Sequence, residues 1–222
     1  MPVRPRFQTV LFDLDGTLAD TVPLIAQHIS DTLNAHGIAC TPRDVYPLIG
    51  RPIVDAMNEL HEFASDGARM EAVIVEYRAA LHEAVNAAGT ELVLPGVRAM
   101  LRELREAGFG VGVVTAKGGP QAEHLLTITE LRDLVDVVVS TDDVDRGKPA
   151  PDSALLGLER LGAVAAETWY VGDAMSDMEM ALAAGMRAMG ITTGAATREE
   201  LAGAGAEVVV DAAAQVTDLI VG

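Results

Sequence analysis

The sequence is short of several residue types, and each shortage narrows what the protein can do. The single cysteine, Cys40, excludes an internal disulfide and has no Cys or His nearby at metal-ligand spacing. Lysine occurs only as Lys117 and Lys148. No apolar run approaches the roughly 20 residues of a membrane span, and the start, MPVRPRFQ, lacks the apolar stretch of a signal peptide. We therefore expect a cytoplasmic protein with no membrane partner.

Positive charge is also scarce, since the formal net charge is -17. Binding a nucleic-acid backbone requires clustered Lys and Arg, and here they are scattered, so we expect no nucleic-acid partner. Surface charges are screened over about 8 Å at physiological salt. A few local cations and a metal ion can therefore still bind a small anion inside a pocket.

Short runs rich in Val, Ile and aromatic residues alternate with stretches of helical patterning. This alternation predicts the α/β class, with a Rossmann-like parallel sheet core that is buried by helices on both faces. The predicted strands are QTVLFDLD, FGVGVVTA, LVDVVVST, TWYVGD, MRAMGIT and AEVVVD.

One region breaks the alternation. About 75 residues between the first run and Pro95 have helical patterning and no convincing strand, which is too long for a crossover connection. Thr41 followed by Pro42 is typical of a helix start. We predict a helical domain over residues 19–94, inserted into a core formed by residues 1–18 and 95–222.

Two pairs of acids follow two of the predicted strands. Asp13 and Asp15 come directly after the first run, and Asp173 and Asp177 follow the fourth. Because the carboxyl ends of parallel strands meet at the ligand-binding edge of an open sheet, we expect these side chains to lie together. Buried acids require a counter-charge, and oxygen ligands suit Mg²⁺. Asp13, Asp15, Asp173 and Asp177 are therefore the predicted metal site.

A phosphate can enter so negative a site only if a cation neutralises it. Lys148 lies in RGKPAPD, where two prolines stiffen the loop between the third and fourth runs. Thr115, at the end of the second run, offers a hydroxyl and neighbouring backbone N–H groups. Both residues are candidates for holding phosphoryl oxygens.

In this order, four segments resemble the motifs of the haloacid dehalogenase (HAD) superfamily: FDLDGTLADT, VVTAK, GKPAPD and GDAMSDMEMALAAG. The later GAATREELAGAGAEVVVD is similar to the closing segment of its phosphoglycolate phosphatase-like branch. The resemblance covers about residue 7 to residue 212. It implies that the inserted helices form a cap over the active site.

The resemblance also implies a role for each motif residue. Asp13 would attack phosphorus to form an aspartyl-phosphate, and Asp15 would protonate the leaving oxygen and then activate water. Thr115 and Lys148 would hold the phosphoryl oxygens. Ala116 stands where the family often has Asn, so only its backbone N–H is available to substrate.

For the metal, the resemblance implies that Mg²⁺ is bound by Asp13, Asp173 and the backbone carbonyl of Asp15. Asp177 would orient metal-bound water or Lys148. In the inserted domain, Arg51 lies between Gly50 and Pro52, where its guanidinium could reach a substrate carboxylate or hydroxyl.

The predicted function is a Mg²⁺-dependent phosphatase acting on a small phosphorylated metabolite, by default phosphoglycolate. Asp15 favours phosphoryl transfer over dehalogenation, because displacing halide needs no acid. The absence of lysine from residues 19–95 argues against the imine chemistry of a phosphonate-cleaving branch. A sugar-phosphate mutase and a catalytically silent phosphate-binding protein stay open as alternatives, as do a monomer and a homodimer.

Overall fold

A computed structural model of the chain describes residues 8–63 and 66–221. The segment MPVRPRF, on which the signal-peptide prediction partly rests, lies outside them. The strands are β1 Thr9–Phe12, β2 Gly110–Val114, β3 Val137–Val139, β4 Thr168–Gly172, β5 Arg187–Ile191 and β6 Val208–Val210. The helices are α1 Val22–Ala35, α2 Pro42–Val45, α3 Ile53–Leu60, α4 Gly67–Ala88, α5 Val97–Glu106, α6 Gly119–Ile128, α7 Asp152–Leu161, α8 Met175–Ala183, α9 Arg198–Gly203 and α10 Ala213–Ile220.

The six strands form one parallel sheet in the order β3-β2-β1-β4-β5-β6. All six predicted runs are strands, so the α/β prediction is confirmed. The first strand lies between β2 and β4, with Phe12 opposite Val113 on one side and Val171 on the other. Residues that follow β1 therefore emerge at the middle of the carboxyl edge, between the ends of two neighbouring strands.

Both faces of the sheet are buried, as predicted. Val10 and Phe12 belong to one hydrophobic cluster with α5, whereas Leu11 between them belongs to a second cluster with α7 and α8. This division follows from the two-residue side-chain period of a strand. Helices consequently cover the sheet on both sides, which explains why the strands read as continuous apolar runs.

Helices α1 to α4, which we call the cap helices, lie between β1 and α5, where the sequence predicts helices and no strand. Thr41 begins α2 with Pro42 at the first helical position, and its backbone N–H donates to the Asp44 carboxylate at 2.8 Å. This capping arrangement satisfies an otherwise unpaired N–H group at the helix start. The helix is only four residues long, and a 3-10 turn, Tyr46–Leu48, continues it.

The two connections between the cap helices and the sheet run side by side. The N–H of Asp20 donates to the Leu92 carbonyl at 2.7 Å, and the N–H of Leu94 donates to the Leu18 carbonyl at 3.2 Å. These contacts lie beside the predicted boundaries at residues 18 and 95. The division into two domains stays a prediction.

A separate prediction concerns the membrane. Across the described residues, no helix is both long enough and apolar enough to cross a bilayer.

Candidate active site

The ends of neighbouring strands bring the predicted acids and the predicted threonine to one edge of the sheet. The ladder between β1 and β4 continues one residue past β1, because the Asp13 N–H donates to the Val171 carbonyl at 2.9 Å. At the end of β2, the Thr115 N–H donates to Val139 in the same way, also at 2.9 Å. Rigid strands thus fix the backbones of Asp13 and Thr115.

Three carboxylates gather beside the end of β1. Asp13, Asp173 and Asp177 are buried, and each offers an oxygen within 4.8 Å of the others. The Lys148 ammonium is also buried, 2.9 Å from Asp13 Oδ1 and 2.7 Å from Asp177 Oδ1. Three carboxylates against one ammonium leave an excess of two negative charges when all four groups are ionised.

Burial and this excess charge perturb the titration of the cluster. Burial raises the pKa of Asp13 to about 7, against the opposing effect of Lys148. The pKa of Asp173 is raised well above its usual value by burial first, and then by the charges of Asp177 and Asp13. Burial alone would lower the pKa of Lys148, but the carboxylates of Asp13 and Asp177 outweigh it, so the net pKa is raised. Lys148 is therefore a charged group at neutral pH.

Asp177 is held by several hydrogen bonds. Its Oδ2 accepts from the Ala174 N–H at 3.0 Å, and its Oδ1 accepts from Lys148 at 2.7 Å. The Tyr170 hydroxyl lies 3.2 Å from the same Oδ1 and 2.8 Å from the Val114 carbonyl. Both carboxylate oxygens of Asp177 are therefore engaged, and the Lys148 ammonium lies between Asp177 and Asp13.

The Asp173 carboxylate is enclosed by two loops. Thr17 donates to its Oδ1 at 2.9 Å, and the Ala195 N–H donates to its Oδ2 at 2.8 Å. Any side chain at Gly16 or Gly194 would overlap Asp173, and Gly16 also has φ +76°. Only glycine allows both backbones to approach so closely. The loop after β5 therefore closes one side of the acid cluster.

The acid cluster has the donor chemistry of a hard divalent cation. Asp13 Oδ1 has no hydrogen-bond partner among the residues that the structure describes, although Lys148 faces it as an ion pair. Three buried carboxylates with oxygens within 4.8 Å of one another, which carry two negative charges in excess of Lys148 when all are ionised, could hold a metal ion.

Asp15 lies outside this cluster and has its own partners. Its Oδ1 accepts from the Thr21 hydroxyl at 2.5 Å, and its Oδ2 lies 3.1 Å from the Lys117 ammonium. The Asp15 carboxylate is therefore not among the clustered acids, and ligation of a metal by its backbone carbonyl stays a prediction. The carboxylate instead faces a cavity between the sheet edge and the cap helices.

This cavity of about 90 Å³ connects the predicted catalytic groups with the cap helices. Five of the predicted site residues line it: Asp13, Asp15, Arg51, Thr115 and Ala116. Lys148 and the other two acids are buried beside Asp13 and do not line it. Of the three clustered carboxylates, only Asp13 therefore lines the cavity.

Arg51 occupies the rim of the cavity but is engaged elsewhere. Its guanidinium forms an ion pair with Glu59 at 2.6 Å, and 40% of its side chain is exposed. The carbonyl of the preceding residue, Gly50, accepts a hydrogen bond from the Ser176 hydroxyl of α8 at 3.1 Å, which links the cap helices to α8. Binding of substrate by Arg51 stays a prediction.

The sequence reasoning missed several residues of the site. Thr17 and Thr21 stand within the first motif, and Lys117 directly follows Thr115-Ala116, so proximity to a motif could have indicated them. Tyr77 lines the cavity from the middle of α4, where nothing in the local pattern distinguishes it from a packing residue.

Comparison with known proteins agrees with this geometry. The sequence profile of the haloacid dehalogenase-like hydrolase family matches residues 10–191. The probable phosphatase IndB of Dickeya dadantii is 36% identical over 208 residues, covering 93% of this chain and 90% of that protein. The pyrophosphatase PpaX of Bacillus cereus is 37% identical over 176 residues, covering 78% and 77%.

Among solved structures, a hydrolase from Pseudomonas syringae superposes with a TM-score of 0.87 at 26% identity, covering 96% of this chain and 97% of that one. The family profile spans most of the chain, and both sequence relatives exceed a third in identity. The chain therefore belongs to the haloacid dehalogenase-like hydrolases.

Proposed function

We propose that this protein is a Mg²⁺-dependent phosphatase that hydrolyses a small phosphorylated metabolite through an aspartyl-phosphate on Asp13. The observation that carries the proposal is the position of Asp13, which lines the cavity and contacts the buried Lys148 ammonium at 2.9 Å. A nucleophile needs access to substrate, and a phosphoryl group needs a nearby cation. The names of IndB and PpaX, both phosphatases, support the same reaction class.

In the first step, a carboxylate oxygen of Asp13 forms a bond to phosphorus as the ester P–O bond breaks. Asp15 donates a proton to the departing oxygen, and the Thr21 hydroxyl holds that carboxyl group towards the cavity. In the second step, Asp15 takes a proton from a water molecule as the water oxygen attacks the same phosphorus. The bond between phosphorus and Asp13 breaks, and phosphate is released. Asp13 is then free for another cycle.

Lys148, Thr115 and the Ala116 N–H are proposed to hold the phosphoryl oxygens during both steps. Because phosphoryl transfer depends mainly on positioning and charge neutralisation, the fixed Lys148–Asp177 contact is central to the proposal. Asp13, Asp173 and the Asp15 carbonyl would hold Mg²⁺, which would supply positive charge to the phosphoryl oxygens. Asp177 would position Lys148 without contacting the substrate itself.

The experiment is a phosphate-release assay with Mg²⁺ on phenyl phosphate and on a panel of small phosphorylated metabolites. The panel includes phosphoglycolate, the default expectation, and pyrophosphate, which the name of PpaX suggests. Asp13→Asn should abolish release, because an amide cannot attack phosphorus. Asp218→Asn, an exposed position on α10, is the matched control and should retain full activity.

The same assay tests the catalytically silent alternative and the assignment of Asp13 as nucleophile. Wild-type protein that releases no phosphate from any ester would favour a catalytically silent phosphate-binding protein. Asp13→Asn that keeps a tenth or more of wild-type activity with an unchanged Tm would contradict the assignment of the nucleophile.

A further inference from the structure

We infer that the cavity under the cap selects phosphomonoesters whose leaving group has an apolar body next to phosphorus, with one oxygen that accepts a hydrogen bond from Tyr77. This inference rests on the proposed phosphatase function and specifies its substrate class. It concerns the part of the substrate that departs from phosphorus, since the phosphoryl group itself meets the acids and cations at the sheet edge.

The first observation is the chemistry of the cavity wall. On the cap side, the wall is formed mainly by aliphatic side chains from α1, α2, α3, α4 and the turn after α2: Ile25, Ile29, Val45, Leu48, Ile49, Ile53, Ala56 and Leu81. A carboxylate or a second phosphate placed against these aliphatic side chains, and away from the lining cations Arg51, Arg78 and Lys117, would lose its hydration without gaining a partner. An apolar body of similar size would gain from the same contact.

The second observation is a hydroxyl group among these apolar side chains. Tyr77 is only 5% exposed and lines the cavity. Its hydroxyl makes no hydrogen bond with any residue in the described part of the chain. Burial, and then the charge of Asp15, raise the pKa of Tyr77, so its hydroxyl keeps its proton and can donate. A donor that lines the cavity without a protein partner can donate to an acceptor on the substrate.

The third observation concerns two cations of the cap, Arg51 and Arg78, which line the cavity and are also exposed to solvent. Arg51 is paired with Glu59, and Arg78 is exposed. A leaving group as short as glycolate places its carboxylate close to phosphorus, among the aliphatic side chains. Only a longer leaving group could extend a polar end to Arg51, as proposed above, while keeping an apolar body in the cavity.

A comparison of matched esters on the wild-type enzyme tests whether the aliphatic wall of the cavity selects the leaving group. Isobutyl phosphate has nearly the shape of phosphoglycolate, with two methyl groups in place of the carboxylate oxygens. We expect kcat/KM for isobutyl phosphate to exceed that for phosphoglycolate and for pyrophosphate at least tenfold. A preference for phosphoglycolate or pyrophosphate would overturn the inference and leave the phosphatase function intact. No phosphate release from any ester would instead contradict the proposed function.

A second pair of esters tests Tyr77. In 2-methoxyethyl phosphate an ether oxygen replaces one methylene of n-butyl phosphate, which adds an acceptor without charge. We expect Tyr77→Phe to lower kcat/KM about fivefold to tenfold more for the methoxyethyl ester than for the butyl ester. Tyr46→Phe, in the same cap but away from the cavity wall, should leave the ratio of the two esters unchanged. Equal losses on both esters with Tyr77→Phe would overturn the role of its hydroxyl.

Discussion

Replacing Lys148 by methionine should expose how strongly the buried acid cluster depends on one cation. Lys148 is 2% exposed and contacts Asp13 at 2.9 Å and Asp177 at 2.7 Å. Methionine keeps a flexible side chain of similar length and removes the charge. The substitution therefore leaves the three carboxylates of the cluster without a positive partner among them.

The expected cost follows from burial. Removing one partner of a buried ion pair typically destabilises a protein by about 3–5 kcal/mol, because the remaining charge stays desolvated. For a chain of this size, that loss corresponds to a fall in Tm of roughly 6–20 °C. The neighbouring Arg146 offers a matched control, since its ion pair with Asp152 leaves 71% of its own side chain exposed. Arg146→Met should cost at most about 1 kcal/mol.

The assay is urea unfolding of the wild type and both variants with excess chelator, repeated with Mg²⁺. We expect Mg²⁺ to restore part of the stability that Lys148→Met loses, because a divalent cation can offset the same carboxylates. If Lys148→Met costs no more than Arg146→Met, Lys148 does not compensate the cluster, and the reasoning fails.

Three further predictions concern the metal, the rim of the cavity and pH. Excess chelator should abolish phosphate release and added Mg²⁺ should restore it, and activity that survives chelation would remove the metal from the reaction. Arg51→Ala should lower kcat/KM for the best acidic substrate by roughly 1.5–3 kcal/mol and barely affect phenyl phosphate, because a charge-assisted hydrogen bond is lost only with the former. Equal losses on both substrates would assign Arg51 to cap folding or closure. His82 of α4 stacks on His124 of α6 with ring centroids 4.3 Å apart, and burial, then His82, lower the pKa of His124 below its ordinary value. A lowered folded-state pKa means that this ring's contribution to stability is present above about 6.5 and is lost as pH falls below it. The raised pKa values of Asp13 and Asp173 act in the opposite direction and are common to all the variants, so the prediction concerns the difference between proteins. Between about pH 7.5 and about pH 5.5, His124→Gln should lose less stability to urea, or gain more, than the wild type or His28→Gln. An equal change in all three proteins would show that the stack does not sense pH.

Much of the fold could be read from local patterns. The six apolar runs predicted six strands, and their continuous hydrophobicity predicted burial on both faces, because a parallel sheet needs helices on each side. Thr41-Pro42 indicated a helix start, and the structure has α2 beginning there. The same pattern could not predict that α2 would stop after four residues and continue as a 3-10 turn.

The sequence by itself also predicted that Asp13 and Asp173 would lie together, because both directly follow strands whose carboxyl ends share one edge of the sheet, but it grouped the Asp15 carboxylate with them. Only the tertiary structure decided what surrounds them. Lys148 reaches Asp177 across 29 positions of the chain, Thr17 reaches Asp173 across 156, and Tyr77 is brought over the cavity by packing of the cap helices. Such contacts depend on how separate elements pack, and residue spacing within one motif carries no record of that packing.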